Sequence, residues 1–219
     1  MNNNKKDEYI FVICAHNDDQ IVGGGGTFIK YAKEGKKIVS LIFSYGESSH
    51  PWLKREEIVK TRVTESRNAE KITGEEKVFY FGLKEGNFRK QVEEKDLDVK
   101  IMKLIKELRP RKIFTHSMDD PHPDHRAVNS ITLDIIHKLK YRGDVYTFDV
   151  WNPINIRKRN VPKLIVDVTD TFQDKINAFN EHKSQKMTLW TLWWNIYFRS
   201  WWYGLKNNTK YAEIFYRIR

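Results

Sequence analysis

The sequence has almost no cysteine: Cys14 is the only one in 219 residues. A single thiol excludes an internal disulfide framework, and a reducing, cytoplasmic setting is the expectation that follows. No leader is expected either. The opening MNNNKKDEYIFVICA has a short apolar run that stops at His16, without the long apolar segment and small-residue cleavage site of a signal peptide. No long hydrophobic run appears elsewhere. The most apolar segment, 187–204, is interrupted by Asn195 and Arg199 and does not read as a membrane span. Internal repeats and low-complexity linkers are also absent. Basic residues outnumber acidic ones by 39 to 29, a net charge of +10 that attracts anions in general. That charge is scattered, however. Its densest run, RKRNVPK (157–163), carries no interleaved aromatics, so no nucleic-acid partner is expected.

What is present is ordinary for a folded chain. Hydrophobic residues make up 40%, and 29 aromatic residues give it ample surface to bury. Apolar runs alternate with helical patterns. EYIFVICA (8–15), KIVSLIFSYG (37–46), KVFYFGL (77–83) and KIFTHS (112–117) read as strands, as do VYTFDVW and KLIVDVT. Between them lie helical stretches at 27–37, 54–73 (closed by Gly74), 96–110, 126–140 and 170–185. Strands separated by helices predict an α/β fold: a Rossmann-like three-layer sandwich with a mostly parallel sheet, in one domain spanning 1–219. Ligands of such sheets sit at the carboxyl ends of strands, and two polar clusters fall there.

The first is AHNDDQIVGGGGT (15–27). Its glycines, Gly23–Gly26, suggest a phosphate loop at a helix N-terminus. The dinucleotide pattern fails at Phe28, and no Gly-Lys-Ser/Thr follows. A sharp turn and a close helix approach are the simpler expectation, with nucleotide binding kept as an alternative. His16, Asp18 and Asp19 supply a ring nitrogen and two carboxylates within four positions. The second cluster is HSMDDPHPDH (116–125), with His122 and His125 three apart and Pro123 suited to open a helix. Taken singly these are turn and capping residues; Asp119-Asp120-Pro121 in particular is ordinary turn chemistry. Together, at two strand ends, they offer two histidines and a carboxylate, the donor set of a catalytic zinc site with one position open. A spare carboxylate beside it would be free to take a proton.

These motifs resemble the PIG-L / LmbE-like family of zinc-dependent N-acetylglucosamine deacetylases. Ala15-His16-Asn17-Asp18-Asp19-Gln20 resembles the family's A-H-P-D-D-E, and His122-Pro123-Asp124-His125 its H-P-D-H. Further likeness runs through Arg62 and Glu65, then Ala69 and Gly74, then Lys175, Ala178, His182, Ser184 and Gln185, and finally Tyr211–Phe215. It spans about residues 8–217. The resemblance implies that His16, Asp19 and His125 hold Zn2+ and that Asp18 is the general base. It implies that His122 protonates the leaving amine or steadies the oxyanion, with Asp124 holding its ring. Arg62 becomes a candidate for a substrate hydroxyl or phosphate, or else a surface partner of Glu65. The implied substrate is an N-acetylated amino sugar conjugate, soluble or lipid-linked. Asn17 and Gln20 depart from the family's proline and glutamate, which leaves open a catalytically weakened sugar- or lipid-binding member. The segment 187–204 carries five of the seven tryptophans. It is open to four readings: a homo-oligomer interface, a wall for sugar rings, a peripheral anchor at the inner face of the membrane, or plain core.

Overall fold

The structure is a computed structural model that describes residues 7–47, 54–152 and 160–219, with the side chains of 186–190 outside the description. The predicted basic run thus falls partly outside it (157–159), as does the Trp190 side chain. Seven strands form one sheet: β1 (Tyr9–Cys14), β2 (Lys37–Ile42), β3 (Lys77–Tyr80), β4 (Lys112–His116), β5 (Asp144–Phe148), β6 (Lys163–Asp167) and β7 (Ala212–Arg217). The helices are α1 (Asp19–Lys33), α2 (Arg55–Thr73), α3 (Phe88–Glu94), α4 (Leu97–Leu108), α5 (Pro123–Lys138), α6 (Phe172–Asn180) and α7 (Lys186–Lys206). A 3-10 turn, Lys183–Gln185, leads into α7.

The strand order is β3-β2-β1-β4-β5-β7-β6. The first five strands are parallel, and β7 runs antiparallel between β5 and β6. The α/β sandwich expected from the alternation is therefore present. Its central strands face helices on both sides, which explains their unbroken apolar runs. In β1, Ile10, Val12 and Cys14 belong to one hydrophobic core, while Phe11, Ile13 and the adjoining Ala15 belong to the other. The two-residue period thus divides one strand between two cores. Strand order reverses at β1, whose neighbours are β2 and β4. The crevice at the carboxyl ends of β1 and β4 is the place where such sheets take their ligands.

Helix boundaries differ from the reading of the sequence at α1. The helix begins at Asp19, so the four glycines lie inside it, all buried. A Cβ on Gly23 would stand 2.2 Å from Phe148 Cδ2, and one on Gly26 would stand 2.8 Å from Val168 Cβ. Packing against the sheet, rather than helix propensity, selects glycine here. The chain leaves helical geometry at Gly24 (φ −157°, ψ 21°). The backbone groups released there are met by side chains. Val22 O accepts from Lys175 Nζ (3.1 Å) and Arg199 Nη2 (2.7 Å), while Gly26 N and Thr27 N donate to the Glu213 carboxylate at 3.1 and 2.8 Å. Lys175 Nζ also reaches Glu213 Oε1 at 2.6 Å, completing a buried network in which each charge has a partner. By contrast, α2 ends as its sequence predicts, on Gly74 in the left-handed region (φ 68°), where glycine carries no Cβ penalty.

Candidate metal centre and active site

Two loops and two helix N-termini meet at the β1/β4 crevice. Residues 15–18 leave β1 and enter α1 with Asp18 as N-cap and Asp19 in the first turn. Residues 117–122 leave β4 and enter α5, whose N-cap is His122 and whose first residue is Pro123. Both N-terminal dipole ends thus point at a site rich in carboxylates.

Asp19 stands at the centre. Its Oδ2 accepts the His16 backbone N–H (2.7 Å) and lies 3.4 Å from His16 Nδ1 and 3.2 Å from His116 Nε2. Its Oδ1 is 3.3 Å from His125 Nε2. The His16 and His125 rings are 5.4 Å apart, so the two distant motifs do share one site. Two donor triads have their atoms within 4.8 Å of one another: His16, Asp19 and His125, and His16, His122 and Asp124. They share His16. In the second, Asp124 is already committed, with Oδ1 accepting from Gly86 N at 2.9 Å. In the first, both ring nitrogens of His125 are buried and neither reaches full hydrogen-bond geometry; Nε2 is turned toward Asp19. The other nitrogen, Nδ1, sits 3.0 Å from Asp120 Oδ1, the carboxylate-behind-histidine arrangement of metal ligands. The first triad therefore fits a divalent cation better.

The electrostatics agree with that choice. Burial favours the neutral form of His16, yet Asp19 and Asp124 hold its proton up to about 10. Burial opposes charge on His125 too, but Asp19 and Asp120 push it up to about 9. Burial also works against ionised Asp19, and His125, His116 and His16 nonetheless keep it well below the usual carboxylate range. A site that grips protons this firmly is one where a metal ion can take their place. His116 is the exception. Burial and the neighbouring His125 lower it to about 4, and its Nε2 accepts from the Ala15 backbone N–H at 3.0 Å.

The remaining predicted residues lie close by. Asp18 is buried on the pocket wall beside Gln185, whose amide, in the orientation that gives its oxygen and nitrogen complementary partners, donates to Asp18 Oδ2. His122 lines the same pocket, and its Nδ1 accepts from the backbone N–H of Asp124 at 3.2 Å. The Asp124 carboxylate does not touch the His122 ring; it turns to Gly86 and, at 3.6 Å, to His16 Nε2. Arg62 also lines the pocket but is only 1% exposed. Its Nη2 and Nε donate to Asn17 Oδ1 (2.6 and 3.2 Å) and its Nη1 to Gly46 O. Glu65, the alternative partner considered for Arg62, is taken by Ser184 N and Oγ, each at 2.6 Å.

Both departures from the family motif have partners here. Asn17 clasps Arg62. Gln20 hydrogen-bonds the Glu75 carboxyl, so a glutamate at that position would set two carboxyl groups side by side. The glycines make no phosphate cradle: they are buried in mid-helix, and Gly26 N is already bonded to Glu213. Asp120 and His116 escaped the reading of the sequence. Asp120 reads as turn chemistry, and only the fold shows its Oδ2 accepting from Val150 N and Trp151 N at 3.1 and 3.3 Å.

The pocket has a volume of about 270 Å3 and also includes Glu85, Trp151 and Leu192. Among known proteins, the diacetylchitobiose deacetylase of Thermococcus kodakarensis is 25% identical over 236 aligned residues, 92% of this chain and 80% of that one. The fold is shared with the N,N'-diacetylchitobiose deacetylase of Pyrococcus horikoshii (TM-score 0.80, 20% identity, 100% of this chain and 86% of that one). It is shared equally with GalB, the 4-carboxy-2-hydroxymuconate hydratase of Pseudomonas putida (TM-score 0.81, 20% identity, 97% and 96%). At such identities these structures establish the fold alone. Residues 11–136, more than half of the chain and inclusive of both polar motifs, match the family described as PIG-L, GlcNAc-PI de-N-acetylase. The chain that brings His16, Asp19 and His125 together at its β1/β4 crevice belongs to the PIG-L family of deacetylases.

Proposed function

We propose that the protein is a zinc-dependent hydrolase that removes the acetyl group from an N-acetylglucosamine-type conjugate. The observation that carries this is the convergence of His16, Asp19 and His125 within 4.8 Å, with Asp18 and His122 on the wall of the same pocket. The donor set, two imidazoles and one carboxylate with room for a further ligand, suits zinc. When bound, zinc would polarise the amide carbonyl and make water acidic enough to attack near neutral pH.

The chain's own residues supply the rest. Asp18 takes the proton of the attacking water. Gln185 and Arg62, the latter with its Nη2 3.8 Å away, fix that carboxylate from behind. Because His122 Nδ1 accepts a hydrogen bond, the ring presents Nε2–H, which can donate to the carbonyl oxygen as negative charge develops there. The proton that Asp18 takes from the water is the one the departing amine needs, while the neutral His122 ring steadies the oxygen. Trp151 and Leu192 give the pocket apolar walls for one sugar ring. The relatives named for diacetylchitobiose support an acetylated glucosamine as the ring that enters. Since the fold also serves a hydratase, the choice of reaction rests on these site residues and not on the likeness of shape.

The test is metal analysis with an acetate-release assay on N-acetylglucosamine conjugates. One zinc per chain and acetate production abolished by chelator are expected. Asp18→Asn should keep its metal and lose about 10²- to 10⁴-fold in turnover. A fully active Asp18→Asn enzyme would remove Asp18 as the base, and a metal-loaded protein inactive on every acetylated glucosamine would remove the proposed reaction.

A further inference from the structure

The outer face of α7 carries an apolar stripe that nothing in the described structure covers. Trp194, Phe198, Trp201 and Leu205 recur at helical spacing and are 59%, 41%, 47% and 58% exposed. The stripe is continuous: the Phe198 ring centroid is 6.0 Å from that of Trp201 and 6.3 Å from that of Trp202. The opposite face is inside, with Leu192, Ile196 and Tyr203 buried. Arg199, the only charge between Lys186 and Lys206, is turned inward as well. It is 6% exposed and bonded to Val22 O and Asp149 O, so it does not interrupt the outer face. The other exposed large hydrophobic residues, such as Val99, Met118 and Ile165, lie on other elements.

From these observations we infer that α7 is an interfacial helix that docks on the surface of an anionic lipid bilayer. Two features select that occupant. The first is charge. From His182 to Ala212 the sequence has no aspartate or glutamate, while Lys183, Lys206 and Lys210 stand exposed at the two ends of the helix. Lys206 Nζ sits 4.3 Å from the Trp202 ring centroid, at the margin of the stripe. An apolar stripe rich in tryptophan, with lysines at its ends, matches the acyl boundary and the anionic headgroups above it. The second is area. The four side chains expose on the order of 500 Å2, above the background of scattered surface hydrophobics but short of the roughly 800 Å2 per partner of a stable dimer. A two-fold contact through α7 would also bring lysine-bearing ends together with no acidic residue on the helix to offset them. Because α7 supplies Leu192 to the wall of the pocket, docking would hold that wall at the lipid surface. No helix among the described residues is long and apolar enough to cross a membrane, so this contact is one of lying on the surface.

The test is co-sedimentation of the full chain with vesicles of phosphatidylcholine alone and of phosphatidylcholine containing phosphatidylglycerol, with tryptophan emission followed in parallel. Binding to the anionic vesicles with a blue shift is expected, weakened by salt. The double variants Trp194→Ser/Trp201→Ser and Lys206→Glu/Lys210→Glu should each lower partitioning by at least about tenfold. Unchanged melting temperatures would show that both variants fold. The readout needs no turnover, so it stands apart from the deacetylase reading. Failure to bind anionic vesicles at low salt overturns the inference. So does a stable dimer that Trp194→Ser/Trp201→Ser converts to monomer, which would assign the stripe to a second copy.

Discussion

Asp120 offers the sharpest test of how the proposed metal centre is built. Its Oδ1 lies 3.0 Å from His125 Nδ1 and accepts the His122 backbone N–H at 3.0 Å, while its Oδ2 accepts from Val150 N and Trp151 N. Burial would raise the acid, but His125 holds it down at about 2, so it is a carboxylate at any working pH. That charge keeps the proton on Nδ1 and leaves Nε2 of His125 free to ligate. In Asp120→Asn one oxygen becomes an NH2 group. If the amide oxygen serves Val150 and Trp151, the NH2 faces Nδ1, which must then accept. The proton moves to Nε2, the atom aimed at Asp19. If the amide is reversed, two backbone donors face an NH2 group and the loop is strained. Either outcome weakens the site. The loss of a carboxylate behind a ligating histidine ordinarily lowers metal affinity by about 10–100-fold, or about 1.4–2.7 kcal/mol. Competition against a chromophoric chelator reads that loss directly, with the melting temperature of the metal-free protein as control. Unchanged zinc affinity in a folded Asp120→Asn protein would refute the assignment of His125 as a ligand supported from behind.

Two further perturbations probe the scaffold. Burial pushes the Glu75 carboxyl up to about 7, although the Ser40 and Thr73 hydroxyls pull the other way. The folded chain therefore keeps a proton that the unfolded chain, with a value near 4.5, releases, and stability falls as pH rises through about 7. Glu75→Gln should be more stable than the parent at roughly pH 8, by about 1–2 kcal/mol after allowance for solvent screening, with the gap closing below about pH 4.5 in urea titrations. A constant gap across that range would remove Glu75 as the cause. Lys175→Met strands the buried Glu213 carboxylate and should destabilise by about 3–5 kcal/mol. Adding Glu213→Gln should restore part of that loss, and simple additivity of the two changes would show that the pair is not coupled.

The sequence made the sandwich and the two strand-end motifs legible because both are written locally. Buried parallel strands show as apolar runs, and His16, Asp18 and Asp19 or His122 and His125 stand within a few positions of one another. What it left obscure depends on contacts far along the chain. The start of α1 is hidden in the sequence because four glycines disfavour a helix on propensity alone, whereas Phe148 at Gly23 and Val168 at Gly26 leave no space for a side chain. Asp120 looked like a turn residue because its partners Val150 and Trp151 come thirty positions later. The segment 187–204 is ambiguous in sequence because Arg199 interrupts its apolar run; only the fold turns that side chain inward onto Val22 and Asp149. The insertion of β7 between β5 and β6 left no local trace at all.

The same long-range dependence governs the proposed chemistry. Asp18 and Asp19 sit on the short first segment of α1, and the helix is interrupted at Gly24, so this segment is not held by a continuous hydrogen-bond ladder. Near its end, Val22 O hangs from Lys175 on α6 and Arg199 on α7, and the segment beyond the break is capped by Glu213 on β7. From the other side Gln185, on the turn that Glu65 anchors through Ser184, steadies Asp18 itself. Every one of these supports except Glu65 lies beyond residue 136, where the family match ends. The carboxylates proposed as ligand and base therefore belong to the first half of the chain, but their supports come from the last quarter, which also carries the exposed face of α7. A force applied to that face has a route of packed and hydrogen-bonded groups to the segment that presents Asp18 and Asp19.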